Sequence, residues 1–348
     1  MQLTLVQTQN SIMRKPEFIP NYYAYELAVN GRRLSSAKKT YFFSCINKIY
    51  QENEKFIYRG DKKDKLQSLY GVSDDYNELG HSLFIMGAKA GMFVGSGLPG
   101  INEIDIAEAG NNEFRLIFRM LRNLLRREFP FGSVRIAMKQ FREVREQEVT
   151  AFFQDNGNEQ VFIDKIEIAN KQQQILIRDY YLALLHHISK SEYYASSFLL
   201  STTSSFSQAH RFAWKEEPGD SANPIIFFGW IPKHYEGVLS VPDSRVLRRK
   251  VNMGKLRLPI YERSFFPNQE EITLKGGLLP HYLLGYLHIH QGKEVFEINP
   301  ALFATDESWD GIELPIDQSS FHERIENTLF GRYFTFDDEN GRYNQHAM

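Results

Sequence analysis

The amino-acid sequence predicts an α+β protein with its helices in the first half of the chain and most of its strands in the second. Its 348 residues are 42% hydrophobic and 14% aromatic, and the net charge is −2. Disordered chains have low hydrophobicity and high net charge, so this composition indicates a folded chain with at least one full core. Apolar residues recur at helical spacing in the first half, and short apolar runs bounded by glycine and proline follow.

In chain order, the first predicted elements are helices. Apolar spacing of three and four residues predicts them at Ala37–Gln51, Glu78–Gly91, Phe114–Arg127 and Gln172–Ser189. An apolar run that contains Arg59, Phe56–Gly60, lies between the first two. Later, apolar runs of four to eight residues between turn residues predict strands at Phe198–Thr203, Pro224–Ile231, Gly237–Val241, Glu271–Leu274, Leu283–His290 and Val295–Ile298.

Several classes of protein are excluded by the sequence. The longest apolar run, Ile225–Ile231, is far shorter than the roughly 18–20 residues that span a membrane. The first residues have neither the basic nor the apolar part of a signal peptide. The single cysteine, Cys45, cannot form an internal disulfide bond or a cysteine-based zinc site. We therefore expect a cytoplasmic protein with no membrane partner.

Charge is distributed unevenly along the chain. Residues 293–342 contain twelve acidic and four basic residues, whereas Arg245–Arg257 contains six basic residues and no acidic one. The third predicted helix carries arginines spaced by three and four residues, which form one stripe: Arg115, Arg119, Arg122 and Arg126. Such a stripe is typical of a solvated helix face or of a surface that attracts a polyanion, and the two basic segments together favour an anionic partner.

The segment Gly95–Gly100 has the G-x-G-x-x-G spacing of dinucleotide-binding loops. In such a site a helix begins inside the motif, but Pro99 stands where that helix should already run, and no alternation of strands and helices follows. We therefore interpret the segment as a loop.

A second local motif suggests a metal site. His288 and His290 share one face of a predicted strand, and a predicted hairpin turn at Gln291-Gly292 would bring Glu294 near them. Two imidazoles and a carboxylate can bind a divalent metal, and the spacing resembles the first motif of cupins, whose second motif is missing. The alternative is two histidines on a half-exposed hairpin.

Three separated segments carry polar residues at the ends of apolar runs. The first is the run that contains Arg59, and the second ends in Ser201-Thr202-Thr203. The third, Gln269-Glu270-Glu271, follows the aromatic pair Phe265-Phe266 and begins a strand. In this order the segments resemble the R-S-E class of mono-ADP-ribosyltransferases, which is found among bacterial toxins.

The resemblance implies a split β-sandwich that binds NAD⁺ in a central cleft, within a catalytic domain of residues 56–299. A helical insertion at about residues 61–190 would account for the 142 residues between Arg59 and Ser201. An N-terminal helical segment, residues 1–55, and an acidic C-terminal segment, residues 300–348, would flank this domain.

The resemblance also implies a role for each residue. Glu271 would bind the nicotinamide ribose and stabilise the oxocarbenium-like centre that forms when the nicotinamide leaves. Arg59 would bind a phosphate oxygen with its guanidinium fork. Ser201 would orient Glu271 or the ribose, and Gln269 would orient the acceptor. The other residues placed at NAD⁺ are Gly60, Thr202 and Thr203, and those placed at the acceptor are Phe265, Phe266 and the arginine stripe.

The acceptor expected from these features is a macromolecule. Gln269 stands where relatives that modify arginine have Glu, and the resemblance links Gln-x-Glu with other acceptors, including asparagine side chains and nucleic-acid bases. The basic segments and the aromatic residues, which can stack on a base, favour RNA slightly over protein. The resemblance further implies a toxin or phage-defence effector, with an antitoxin as a candidate partner. The alternatives are a cupin-like metal enzyme using His288, His290 and Glu294, and a non-catalytic nucleic-acid-binding protein.

Overall fold

The computed structural model describes residues 25–29, 31–51, 55–70, 109–126, 147–188, 199–215, 223–231, 240–241, 244–251, 256–260, 269–275, 283–298, 334–337 and 342–345. Its strands are β1 (Glu26–Val29), β2 (Arg32–Arg33), β3 (Lys55–Lys62), β4 (Leu199–Thr203), β5 (Pro224–Ile231), β6 (Glu271–Lys275), β7 (Leu283–His290), β8 (Lys293–Ile298), β9 (Phe334–Asp337) and β10 (Arg342–Gln345). Its helices are α1 (Ser36–Gln51), α2 (Lys63–Tyr70), α3 (Asn111–Arg126), α4 (Gln147–Gln154), α5 (Asn158–Glu167), α6 (Lys171–Ile188), α7 (Phe206–Trp214) and α8 (Ser244–Val251).

Eight of the strands form one open sheet in the spatial order β2-β1-β8-β7-β5-β3-β4-β6. Neighbouring strands are antiparallel except for β1 and β8, which are parallel. The remaining two strands, β9 and β10, pair with each other. The predicted α+β class is therefore confirmed. Within the described part of the chain, no helix combines the length and the apolar composition that crossing a bilayer requires.

Strand β5 lies in the middle of the sheet, between β7 and β3. All eight of its residues, Pro224–Ile231, are buried. A strand buried on both faces has a continuous apolar sequence instead of an alternating one, which explains why this run was recognisable in the sequence.

A row of aromatic rings fixes the position of β3. The ring of Phe42 in α1 lies 6.0 Å from that of Phe296 in β8, which lies 4.9 Å from that of Phe228 in β5. Phe228 in turn contacts Tyr58 of β3 at 5.3 Å, and Tyr58 contacts Phe206 of α7 at 5.9 Å. Because side chains alternate along a strand, burial of Tyr58 on this face directs its neighbour Arg59 to the other.

Helix α7 packs closely over β3 at a glycine. Ser205 caps this helix by accepting a hydrogen bond from the backbone N–H of Gln208, as is usual for serine at a helix start. A Cβ atom at Gly60 would lie 1.8 Å from the carbonyl oxygen of Ala209 and 2.8 Å from the backbone nitrogen of Ala213. Glycine at position 60 is thus what allows the helix to approach the strand.

The helices between residues 109 and 188 share an aromatic core. Rings from α3, α4, α5 and α6 meet at centroid distances of 5.2 to 5.7 Å: Phe118, Phe153, Phe162 and Tyr181. Every residue of α6 from Ile177 to His186 is buried. The Tyr181 hydroxyl also donates a hydrogen bond of 2.6 Å to the carbonyl of Pro259. Helix α6 is therefore held over most of its length before it reaches the sheet.

Most predicted elements are confirmed. The observed helices α1, α3 and α6 match three predicted helices to within three residues, and the fourth, Glu78–Gly91, lies outside the described residues. Strands β4, β5, β6, β7 and β8 match five predicted strands. Of the predicted strand Gly237–Val241, only Ser240 and Val241 are described, and Ser240 forms a bridge with Leu274. The glycine motif at 95–100 also lies outside the described residues.

Replacing Gly60 by alanine should destabilise the protein, because the added Cβ collides with the backbone of α7. Overpacking of this kind costs about 1–3 kcal/mol. Gly110→Ala is the comparison, since the nearest atom to its Cβ is 4.0 Å away and the substitution there causes no collision; its effect is limited to replacing the residue that precedes α3. Urea unfolding of both variants measures the difference, and equal stability would contradict the observed packing of α7.

Candidate active site

Strands β3, β4 and β6 bring together residues that are far apart in the sequence. The backbone of Tyr58 pairs with that of Thr203, which joins β3 to β4. Strand β4 then pairs with β6 along its whole length, with Ser201 opposite Thr273 and Thr203 opposite Glu271. Arg59, Ser201 and Glu271 therefore lie on three adjacent strands, whose order in the sheet is the same as their order in the sequence.

Two acceptors hold the guanidinium of Arg59. Its Nη1 atom donates a hydrogen bond of 2.8 Å to the backbone carbonyl of Ser201, and its Nη2 atom donates one of 2.9 Å to the carboxylate of Asp61. The side chain is 24% exposed. Because a guanidinium is planar, bonds through two of its nitrogens fix its orientation while one part of the group still reaches solvent.

The end of β4 holds the turn that precedes Glu271. The Thr203 hydroxyl donates a hydrogen bond to the carbonyl of Gln269 and accepts one of 3.0 Å from the N–H of Ser205. The backbone N–H of Ser204 donates to the carbonyl of Glu270 at 3.0 Å. Glu270 has a φ of 45°, a conformation that is strained for a residue with a side chain. These bonds offset that strain and set the start of β6.

Four polar side chains share one face of the β4–β6 pair. Residues two apart on a strand point to the same side, and residues directly opposite each other share a face, which groups Ser201, Thr203, Glu271 and Thr273. On the outer side of β6, Val241 donates a backbone hydrogen bond of 2.8 Å to the carbonyl of Thr273, beside the bridge between Ser240 and Leu274. The β4–β6 pair thus presents a group of polar side chains on one face.

The last turn of α6 lies over this face. His186 places Nε2 3.2 Å from the hydroxyl of Ser201. His187 places Nδ1 3.6 Å from a carboxylate oxygen of Glu271 and Nε2 3.4 Å from the hydroxyl of Thr273. Sequence analysis missed both histidines because they fall inside a helix recognised by its apolar spacing. The signal was present: two consecutive histidines end a helix shortly before the strand that carries Ser201.

Chemically, the arrangement combines a carboxylate, a cation and hydroxyl groups. Glu271 is 11% exposed, so its charge is screened less by water than it would be on an open surface. A carboxylate fixed in such a place stabilises positive charge that develops on a bound substrate, and a guanidinium binds phosphate oxygens. Arg59 and Glu271 thus supply, on the strands that flank β4, a group that binds an anion and a group that favours a cationic transition state.

Some predicted NAD⁺-contacting residues have internal partners. The Thr202 hydroxyl donates a hydrogen bond of 2.7 Å to the carbonyl of Ile272, and Thr202 and Thr203 are both buried. Gly60 lies against α7. The side-chain hydroxyls of Thr202 and Thr203 and the position of Gly60 thus support the local backbone. The predicted aromatic residues Phe265 and Phe266 lie outside the described residues.

The predicted hairpin at His288 and His290 is confirmed, with a turn at Gln291 and Gly292 in which both residues have positive φ. Glu294 pairs with Ile289, so it points to the opposite face of the sheet from both histidines. His288 is buried and His290 is exposed. In the regions that the structure describes, no group of three His, Cys, Asp or Glu side chains is placed to hold a metal ion.

The arginine stripe of α3 faces residues 154–160, which run from the end of α4 into α5. Arg115, Arg119 and Arg122 lie 3.6, 2.9 and 3.9 Å from the carboxylate of Glu159. Arg126 donates a hydrogen bond to the carbonyl of Gln154. The predicted stripe is present, and it joins α3 to the helices that follow.

Comparison with known protein families, with curated proteins and with solved structures found no match.

Thr203→Val should destabilise the protein by about 1–3 kcal/mol, because the buried carbonyl of Gln269 and the N–H of Ser205 lose their partner. Thr203→Ser, which keeps the hydroxyl, is the matched control. Urea unfolding compares the two, and a valine variant as stable as the serine variant would contradict the role of this hydroxyl in holding the turn.

Glu159→Gln should alter the pH dependence of stability. The hydrogen bond from Arg119, helped by the charges of Arg119 and Arg115, holds the pKa of Glu159 below its usual value. A lowered carboxyl pKa adds stability above the unfolded value of about 4.3, and that stability is lost as the pH falls through the folded value. The difference in unfolding free energy between wild type and variant should therefore be larger at neutral pH than at acidic pH. Glu148→Gln, at an exposed position of α4, is the control, and identical behaviour of the two variants would contradict the ion-pair assignment.

Proposed function

We propose that this chain is an NAD⁺-dependent mono-ADP-ribosyltransferase, which cleaves the bond between nicotinamide and ribose and transfers ADP-ribose to a macromolecular acceptor. The observation that carries this proposal is that Arg59, Ser201 and Glu271 lie on the adjacent strands β3, β4 and β6, with Arg59 hydrogen-bonded to the carbonyl of Ser201. Strand order alone does not specify chemistry, so the proposal also depends on whether each side chain suits a step of the reaction.

The carboxylate of Glu271 suits the bond-breaking step. When the nicotinamide leaves, positive charge develops at the anomeric carbon and the ring oxygen of the ribose. A partly buried carboxylate that is already in place stabilises this charge without reorganising during the step. The leaving nicotinamide takes the bonding electron pair and departs as a neutral base. A nucleophilic N–H or O–H group of the acceptor forms the new bond to the anomeric carbon and releases its proton to water.

Arg59 and Ser201 suit the binding of the rest of NAD⁺. The pyrophosphate of NAD⁺ is anionic, and a guanidinium whose orientation is fixed by Ser201 and Asp61 would bind it with little loss of side-chain entropy. The Ser201 hydroxyl lies on the same face as Glu271, where it can hydrogen-bond to the ribose.

The pairing of the strands supports a split β-sandwich as the finer description of the fold. Strand β3 pairs with β5 at eight positions but with β4 at one, Tyr58 with Thr203. The pair β4–β6 is thus attached to the rest of the sheet at a single point. Separation of the strands beyond that point would provide a cleft for NAD⁺.

The proposed acceptor is a macromolecule. Gln269 and the basic segments of the sequence favour RNA slightly over protein. The arginine stripe contributes less to this preference than its sequence suggested, because residues 154–160 already bind it. An enzyme that consumes NAD⁺ and modifies RNA or protein would act as a toxin or defence effector, and an antitoxin would be its natural inhibitor.

Glu271→Gln should abolish both the release of nicotinamide and the transfer of label from ³²P-NAD⁺, with the fold retained. The loss should reach about 10²–10³-fold, as for other electrostatic groups of this kind. Glu270→Gln is the matched control, because Glu270 is the neighbouring residue, is exposed, and contacts Ser204 on the surface.

The assay uses a cell extract, with RNA and protein separated before counting. Label in the RNA fraction that the Glu271 variant loses would support RNA as the acceptor, and label in the protein fraction would keep the enzyme class with a protein acceptor. Undiminished transfer by Glu271→Gln would overturn the proposal. So would a wild-type protein that releases no nicotinamide in the cell extract, whichever acceptor fraction is counted.

A further inference from the structure

A residue that the R-S-E pattern does not include contacts the carboxylate of Glu271. Among the described residues, His187 contacts this carboxylate, with Nδ1 at 3.6 Å from one of its oxygens. The other ring nitrogen of His187 lies 3.4 Å from the Thr273 hydroxyl, two residues further along the same strand face. One imidazole therefore contacts β6 at two positions, which fixes both the position and the plane of the ring.

The support behind this ring is rigid. His187 is in the last turn of α6, whose residues from Ile177 to His186 are all buried. The preceding residue, His186, reaches Ser201 on the neighbouring strand, and the two imidazole rings lie 5.3 Å apart at 79°. Consecutive side chains of one helix end thus hold two adjacent strands, β4 and β6.

A fixed partner matters for a catalytic glutamate. Glutamate loses side-chain conformational freedom when it is held in one rotamer, and a carboxylate that must be ordered during the reaction adds this cost to the barrier. The distance of 3.6 Å from Nδ1 to the carboxylate is an ion-pair distance rather than that of a hydrogen bond. Catalytic contacts are often long without substrate and shorten when substrate binds.

We propose that His187 is a positioning residue, which orients the carboxylate of Glu271 toward the nicotinamide ribose through Nδ1 while Thr273 fixes the ring through Nε2. This inference rests on the function proposed above. It assigns a role in that reaction to α6, so the helices that separate Arg59 from Ser201 in the sequence contribute directly to the site.

Two amide substitutions separate positioning from mere packing. The side-chain nitrogen of asparagine superimposes on Nδ1 of histidine, and that of glutamine superimposes on Nε2. His187→Asn therefore keeps a donor facing Glu271, whereas His187→Gln keeps one facing Thr273. Glutamine favours helix more than asparagine does, so a purely structural role would rank the two variants in the opposite order.

Steady-state release of nicotinamide from NAD⁺ is the readout. We expect kcat to fall about tenfold or more in His187→Ala and His187→Gln and to stay within about threefold of wild type in His187→Asn. The KM for NAD⁺ should stay within about twofold in all three, because the contacts of Arg59 are untouched. His290→Ala, an exposed histidine of the β7–β8 hairpin, is the control and should leave both constants unchanged.

The outcomes distinguish this inference from the proposed function. If the wild type releases nicotinamide, Glu271→Gln does not, and the His187 variants rank as expected, both are supported. Wild-type kcat in His187→Ala, or a glutamine variant more active than the asparagine variant, would overturn the role of His187 alone. A wild type that releases no nicotinamide would overturn both. If the alanine variant fails to fold, the ranking of the asparagine and glutamine variants still decides whether His187 positions Glu271.

Discussion

The backbone pair between Tyr58 and Thr203 is the constraint on which the candidate site depends. On one side of it, aromatic rings of β5 and α7 lock Tyr58 into the core, and with it the strand that carries Arg59. On the other side, the Thr203 hydroxyl holds the turn that leads into Glu271. The hydrogen bond from Arg59 to the Ser201 carbonyl then ties the two sides together beside this junction. Loss of the junction would separate the cation from the carboxylate even if every strand kept its own structure.

Two helices, α6 and α7, contact the strands that carry the candidate site. Helix α7 packs against Gly60 and supports β3 from the face that Tyr58 occupies. Helix α6 contacts Ser201 and Glu271 through the two histidines of its last turn. Its length is buried among the aromatic rings of α3, α4 and α5, so the position of these histidines depends on a core that is remote from the sheet. This arrangement couples the stability of the helical region to the geometry of the strands.

Local patterns predicted the elements that depend on local periodicity. The spacing of apolar residues in α3 and α6, and the unbroken apolar run of β5, follow directly from their burial. The arginine stripe was equally visible, but its partner Glu159 was not, because nothing in a helix sequence indicates which other helix it will pack against. For the same reason, the pairing of β3 with β4 came only from the order of the motifs and not from any feature of either strand. The strained backbone at Glu270 and the contacts of His187 depend on tertiary structure and could not be predicted.

The most direct test of the central claim is a crystal structure of the Glu271→Gln variant soaked with NAD⁺. We expect the pyrophosphate within hydrogen-bond distance of the Arg59 guanidinium and the nicotinamide ribose beside residue 271, between β3 and the β4–β6 pair. Binding of NAD⁺ at another place on the protein, or no bound NAD⁺ at millimolar concentration, would contradict the assignment of these strands as the catalytic site.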